Sequence, residues 1–229
     1  MLKPKKKVTK REIKEDTLVT AYFEAQSWFE ANRKRVGTIV TTVLIAAIAV
    51  WFYFNNLTTQ NKAATADLGN ILRYYDQGEY ETAINGSPRE NLRGLRQIVD
   101  EYGGTASGEL AAFYLANSYY ALGEYAKALE YYEKAEVNDK SIQASVTAGI
   151  AACREALGAY AEAARAYEKA AKDDEMKLHT AENLYRAAHC YLLAGEPKKA
   201  EDLLKSLKTN YSMSPFAREA DRLLVRAAS

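Results

Sequence analysis

The chain has few of the residues that build metal, redox or catalytic sites. Its 229 residues include two cysteines and two histidines. The sequence shows no arrangement of Ser, His and Asp that indicates a catalytic triad. It also has no Gly-rich phosphate-binding loop and no spacing of His and Cys typical of metal ligands. His179, His189 and Cys190 are too few and too scattered to bind a metal. We therefore expect no enzyme, no cofactor and no small-molecule substrate. The absence of a cysteine near the N-terminus excludes a lipoprotein.

The chain also lacks a strong excess of charge. Its net charge is +1, but the first 36 residues carry ten Lys and Arg against five acids, and the remainder carries 21 against 25. The remainder is mildly acidic, which argues against nucleic acid as a partner. The basic N-terminal run is suited to contact anionic membrane lipid and to fix membrane topology.

Charge is absent altogether from residues 36–54. Nineteen residues of helix cover about 28 Å, close to the hydrocarbon thickness of a bilayer. Arg33-Lys34-Arg35 directly precedes this run, and Trp51 and Tyr53 lie at its far end, as is typical of membrane interfaces. The pattern predicts one transmembrane helix with the N-terminus in the cytoplasm. In a bacterium, the protein would lie in the inner membrane with its C-terminal part in the periplasm.

A cleaved signal peptide is the alternative, because Ala64-Thr65-Ala66 resembles a cleavage site. The apolar run is longer than the 7–15 residues usual in a signal peptide and follows about 35 residues, so we favour a retained signal anchor. Residues 17–35 have apolar side chains at helical spacing. They predict an amphipathic helix that either lies at the cytoplasmic membrane surface or continues into the span.

Glycines recur beyond the apolar run and predict a repeat. Gly78, Gly123, Gly158 and Gly195 are 45, 35 and 37 residues apart. A period near 34 with helix–turn–helix punctuation is that of the tetratricopeptide repeat, or TPR. We expect an all-α fold, a TPR superhelix (α-solenoid), because strand-type alternation is nearly absent. A turn cluster at residues 85–88 explains the longer first spacing, and the interrupted helix should restart near Arg89.

Positions counted from each glycine repeat as well. In the repeats of Gly123, Gly158 and Gly195, a small residue lies seven places before the glycine, an aromatic four before, an alanine five after and an aromatic nine after. Arg154 breaks the second of these positions, and Leu204 breaks the fourth. Cys153 and Cys190 share one repeat position. Equivalent positions should lie about 10 Å apart, beyond the roughly 7 Å limit for a disulfide, so we expect two reduced, buried thiols. Residues from Pro215 to Arg226 predict a closing helix.

These features give four segments: a basic tail with an amphipathic helix (1–35), a transmembrane helix (36–54), a linker (55–66) and a TPR domain (67–229). The layout resembles a family of bacterial single-span inner-membrane TPR proteins that includes the ancillary subunit of the Sec translocon. The resemblance implies protein partners such as membrane-complex subunits, periplasmic chaperones or their clients.

The first helices of the TPR pairs should line a concave groove that binds a partner segment. The predicted groove residues are Leu110, Phe113, Asn117, Tyr120, Glu155, Glu182, Tyr185, Arg186 and His189, together with Ser145, Ala148, Ala152 and Leu192. The alternative is that the aromatic residues only pack between repeats. A clamp for a peptide carboxylate fails in part, because Ser145 and Gly149 stand where basic residues are needed. We expect Asp173-Asp174-Glu175 to be solvated.

Two functions are compatible with this groove. One is a scaffold that recruits chaperones or clients to the Sec translocon, and the other is a permanent accessory subunit of a different membrane complex. A transient receptor keeps a partly polar groove, whereas a permanent subunit buries a larger apolar surface. The mixed polarity of the groove favours the first.

Overall fold

The computed structural model describes residues 10–227, and the side chains of residues 19–225. It divides into two compact units, Met1–Asn56 and Leu57–Ser229. The predicted basic cluster of Lys3, Lys5, Lys6 and Lys7 lies outside the described residues.

Helix α1 is one continuous helix, Lys10–Asp76. No glycine or proline occurs between Gly37 and Gly69, so nothing in the sequence breaks the helix there. Residues 55–66, which were predicted to be a linker, are helical and continue α1. Ala64 in the candidate cleavage site is fully buried, so cleavage there would remove a core residue. Residues 17–35 run directly into the apolar segment, which is the second of the two arrangements expected.

Within the first unit, the large apolar side chains of the span from Ile39 to Phe54 are 51–68% exposed. The most apolar 18-residue window of this helix has a mean hydropathy of 2.1 and no buried residue, so the helix is long and apolar enough to cross a membrane. The hydroxyls of Thr38, Thr41 and Thr42 donate to carbonyls four residues earlier, at 2.8–2.9 Å. This bonding satisfies them within their own helix.

The second unit consists of helices joined by short turns, with one small hairpin. Besides the last part of α1, its elements are α2 (Tyr80–Asn85), β1 (Gly86–Ser87), a 3-10 turn (Pro88–Glu90), β2 (Leu92–Arg93), α3 (Leu95–Tyr102), α4 (Ala106–Ala121), α5 (Tyr125–Lys134), α6 (Lys140–Ala156), α7 (Tyr160–Asp173), α8 (Thr180–Leu193), α9 (Pro197–Asn210) and α10 (Pro215–Ala227). The pairs α4/α5, α6/α7 and α8/α9 are the three predicted repeats. The closing helix α10 is confirmed.

The recurring glycines end the first helix of each pair. Gly123, Gly158 and Gly195 have φ of +78°, +81° and +76°, a conformation that other residues resist. The following amide donates to a carbonyl five residues earlier, as from Glu124 to Tyr119 at 2.9 Å. This is the Schellman closure of a helix end. It turns the chain into the second helix at the same point of each repeat.

The hairpin corrects one sequence expectation, because the interrupted helix restarts at Leu95 and not near Arg89. Gly86 pairs with Arg93, and a Cβ at Gly86 or Gly94 would overlap the opposing backbone. These glycines allow the two strands to approach, and Pro88 begins the 3-10 turn between them. The rest of the described unit is helical or turn, so the all-α fold holds.

The core follows the repeat positions. Ala128, Ala163 and Ala200, five places after the glycines, are fully buried. Small residues at this position let paired helices approach closely. The first helices of two pairs start with side-chain caps. The Thr105 hydroxyl accepts from the Gly108 amide, and the Asp139 carboxylate accepts from the amides of Ser141 and Ile142. The repeat thus determines the close packing of the paired helices, and local caps fix the starts of α4 and α6.

Candidate functional site

A concave cavity of about 290 Å³ lies over α6, between α4 and α8. Its floor is formed by small residues of α6 at helical spacing. They are Ser141, Ala144, Ser145, Ala148, Gly149 and Ala152. Because none has a long side chain, the trough stays open between its two taller walls.

The aromatic wall consists of Phe113, Asn117 and Tyr120 from α4 and Tyr132 from α5. The Tyr132 hydroxyl donates to Oδ1 of Asn117. Burial raises the pKa of Tyr132, so the phenol stays protonated and a donor. Asn117 therefore joins α4 and α5.

Gly149 sets the distance between this wall and the floor. A Cβ at that position would overlap the ring of Tyr132. Tyr132 is only 4% exposed and is held by Asn117, so it has little room to move away. A glycine inside a helix lowers helix propensity, and here the close ring contact accounts for it.

The charged wall is built around Glu155 at the end of α6. The Tyr167 hydroxyl donates to Glu155 Oε2 at 2.8 Å, and His189 Nδ1 lies 3.6 Å from Oε1. Burial raises the pKa of Tyr167, which keeps this phenol a donor. One carboxylate thus joins α6, α7 and α8.

Arg186 of α8 is the cation of this wall. Its Nε donates to Glu182 Oε1 at 3.0 Å, and Nη1 lies 3.4 Å from the Tyr167 hydroxyl and 3.9 Å from Glu155 Oε2. Burial acts to lower the pKa of Arg186, but Tyr167 and Glu182 raise it above its ordinary value. The guanidinium is therefore charged throughout the ordinary pH range.

Asp174 corrects the expectation of a solvated acidic run. Asp173 and Glu175 are exposed, but Asp174 is only 7% exposed and lines the cavity. Its Oδ2 accepts from the His179 amide at 2.8 Å and the Thr180 hydroxyl at 2.9 Å. Burial acts to raise the pKa of Asp174, yet these bonds lower it below its ordinary value. The carboxylate holds the start of α8.

The structure brings together most of the predicted groove residues. Phe113, Asn117, Tyr120, Glu182 and Arg186 line the cavity, as do Ser145, Ala148 and Ala152. Glu155 and His189 adjoin it through the contacts of the charged wall.

Three predicted groove residues lie elsewhere, namely Leu110, Tyr185 and Leu192. Leu192 packs against the C-terminal core cluster. Leu110 packs against the N-terminal core cluster. Tyr185 packs on Phe216 of the closing helix, with 5.6 Å between ring centroids. For Tyr185, the alternative of packing between helices is the better description.

Sequence reasoning missed Tyr132, Tyr167 and Asp174. Both tyrosines occupy the aromatic position nine residues after a repeat glycine, and were assigned to packing alone. A buried phenol needs a hydrogen-bond partner. This requirement could have indicated that each hydroxyl bonds to a polar residue on the first helix of its pair.

The two cysteines behave as predicted. Cys153 and Cys190 are free and fully buried. Burial raises the pKa of each thiol to about 12. Among the residues that the structure describes, no group of three or more His, Cys, Asp or Glu side chains is arranged to hold a metal ion.

Comparison with known proteins gives a family and a fold. A model of the tetratricopeptide repeat-like domain matches residues 26–175, and a tetratricopeptide repeat model matches residues 182–212. No protein of curated function matches the sequence. Two crystal structures of nearly identical TPR-like repeats from a proposed kinesin light chain of Podosopora anserina, one with a single substitution, are each 18% identical to this chain with a TM-score of 0.56. They cover 73% of this chain and 85% and 86% of their own. At that identity the likeness concerns the fold.

Proposed function

Because the chain belongs to the tetratricopeptide repeat-like domain family, we propose that it is a membrane-anchored, non-enzymatic scaffold that docks a segment of a protein partner in the concave cavity. TPR repeats indicate protein–protein interaction. The observation that carries the cavity assignment is its mixed lining, with aromatic rings on one wall and paired charges on the other. Such a lining suits a partner that binds and leaves, whereas a permanent interface has a more apolar core.

The exposed apolar helix would anchor the scaffold. Residues 36–54 would cross the bacterial inner membrane, with the N-terminus in the cytoplasm and the repeats in the periplasm. Tethering raises the local concentration of the docking site at the membrane, so weak contacts suffice. The layout of basic tail, span and TPR domain supports a partner at the Sec translocon, namely a chaperone or client recruited there.

The topology can be tested with introduced cysteines. Cys153 and Cys190 are buried with raised pKa, so they should react slowly with maleimide in the folded protein. Met213→Cys lies at a position 94% exposed in the second unit, and Glu24→Cys lies on the exposed helix before the span. With a membrane-impermeant maleimide applied from the periplasmic side, we expect labelling at residue 213 and not at residue 24. The reverse pattern would overturn the orientation.

The partner can be tested by co-purification of the tagged full-length protein in mild detergent, with mass spectrometry. Translocon subunits or periplasmic chaperones in substoichiometric amounts would support the recruiting scaffold. A fixed stoichiometric set of other membrane subunits would show the alternative, a permanent accessory subunit.

A further inference from the structure

The two walls of the cavity differ in chemistry but favour ligands of the same charge. We infer that the partner segment inserts a Lys or Arg side chain, with its charged group at Glu155 and Glu182 and its stem along Phe113 and Tyr120. This inference rests on the proposed docking function and names the chemistry of the docked segment.

The charge balance of the cavity supports a cationic ligand. The carboxylates of Glu155, Glu182 and Asp174 face or adjoin it, against one guanidinium, that of Arg186. His179 lines the cavity and His189 adjoins Glu155. Asp174 is hydrogen-bonded at the start of α8. Without it, the carboxylates of Glu155 and Glu182 still outnumber the one guanidinium, that of Arg186. Residues 37–229 carry 21 basic against 25 acidic residues, so the field of the whole domain has the same sign.

The aromatic wall supports the same ligand. Aromatic faces attract cations through the ring quadrupole, and they also pack against the aliphatic stems of Lys and Arg. The second unit uses this contact repeatedly. Lys127 Nζ lies 5.3 Å from the centroid of Tyr119, and Lys199 Nζ lies 5.1 Å from that of Tyr191. Phe113 and Tyr120 are half-buried at the cavity wall.

Arg186 decides between a cationic and an anionic ligand. It contacts Glu182 closely, but its distance to Glu155 is 3.9 Å, a loose pair. For an incoming cation, Arg186 is a competitor for both carboxylates, and its removal should strengthen binding. For an incoming carboxylate, Arg186 is the attracting group, and its removal should abolish binding. One substitution therefore gives opposite results for the two ligands.

The experiment uses the full-length protein in detergent and a positional-scanning library of hexapeptides that are acetylated and amidated, so that no peptide carries a terminal charge. We expect enrichment of Lys or Arg at one position beside an apolar residue. The enriched peptide, labelled with fluorescein, then serves as the probe for anisotropy titrations with four variants.

Glu182→Gln should weaken binding of this probe about five- to tenfold, and Arg186→Gln should strengthen it about threefold or more, as expected for charge-assisted contacts. The matched controls are Glu162→Gln and Arg165→Gln, an exposed pair outside the cavity that carries the same two charge changes. They should stay within about twofold, because both side chains are exposed and do not line the cavity, so their effect on the ligand is screened by solvent and salt. Thermal unfolding of each variant shows that it remains folded.

Three outcomes are distinguishable. Lys or Arg enrichment with these opposite effects supports the inference. Enrichment of acidic or neutral peptides only, or weaker binding in Arg186→Gln, overturns the cationic ligand and leaves docking in the cavity intact. If no peptide is enriched, both the inference and the docking of a linear segment fail.

Discussion

Each wall of the cavity contains a tyrosine at the same repeat position, but the hydrogen-bond partner of its hydroxyl differs between the two walls. Tyr132 and Tyr167 both lie nine residues after a repeat glycine, and both are nearly fully buried. The hydroxyl of Tyr132 meets the neutral amide of Asn117, whereas that of Tyr167 meets the carboxylate of Glu155. The repeat therefore conserves the packing role of the ring, and the partner of the hydroxyl gives each wall its charge.

The third repeat extends this comparison. Leu204 occupies the tyrosine position and is fully buried. It has no hydroxyl that needs a partner, and His189, at the repeat position of Asn117, lies instead against Glu155 of the preceding repeat. A change at one packing position thus frees a polar residue to join a network between repeats.

The largest effect is expected where the aromatic wall meets the floor. Gly149→Ala should destabilise the domain by about 3 kcal/mol, because its Cβ overlaps the ring of Tyr132. The matched control is Gly69→Ala, in a helix with no atom near the added Cβ. It should stabilise by about 0.5–1 kcal/mol. Urea unfolding followed by circular dichroism measures both. Similar shifts in the two variants would show that the Tyr132 ring gives way at no cost.

The next largest effect should distinguish Phe113 from Tyr185, the two aromatic residues that were predicted to line the groove. Phe113→Ala should weaken partner capture by about 30-fold, near 2 kcal/mol, because it removes a ring from the cavity wall. Tyr185→Ala should leave capture within about twofold of the parent and lower stability, because its ring packs on Phe216. Quantitative co-purification beside thermal unfolding separates the two. Unchanged capture in Phe113→Ala would rule out the groove as the docking site.

The two tyrosine hydroxyls provide a direct comparison of the walls. Tyr167→Phe should cost about 2 kcal/mol of unfolding free energy, since it removes a hydrogen bond to a charged partner, and Tyr132→Phe about 1 kcal/mol. Chemical denaturation of both variants gives the difference. A larger loss of unfolding free energy for Tyr132→Phe would mean that the hydrogen bond in the aromatic wall is the stronger of the two.

The smallest effect concerns Asp174 at the edge of the cavity. Its pKa is lowered in the folded state, so its contribution to stability is present above the unfolded value near 4 and is lost as the pH falls below it. We expect the unfolding free energy of Asp174→Asn to fall less steeply than that of the parent between about pH 5 and pH 3. Identical slopes would show that other carboxylates account for the acid dependence.

Much of the fold could be predicted from the sequence. Gly123, Gly158 and Gly195 predicted the turns between paired helices. The alanines five residues after them indicated where the paired helices pack closely. The restart at Leu95 could not be predicted, since the short hairpin depends on backbone approach at Gly86 and Gly94. The continuation of α1 through residues 55–66 could have been predicted, since no glycine or proline occurs there to end the helix.

The candidate site was predictable only along the first helices of the pairs. Their helical spacing identified Phe113, Asn117 and Tyr120. The residues that other helices contribute to the cavity depend on how the helices pack in the tertiary structure. The spacing of Tyr185 along α8 could not reveal that the closing helix covers it, and the acidic run around Asp174 gave no sign that one carboxylate turns inward to hold α8.

The most direct test of the central claim is photo-crosslinking of the full-length protein in its native membrane. Benzoylphenylalanine replaces Tyr120 in the cavity wall or, as a matched control, Tyr160, a half-exposed tyrosine that does not line the cavity. We expect a discrete partner adduct from position 120 that Phe113→Ala removes, and none from position 160. Equal adducts from both positions, or an adduct from position 160 alone, would contradict this expectation.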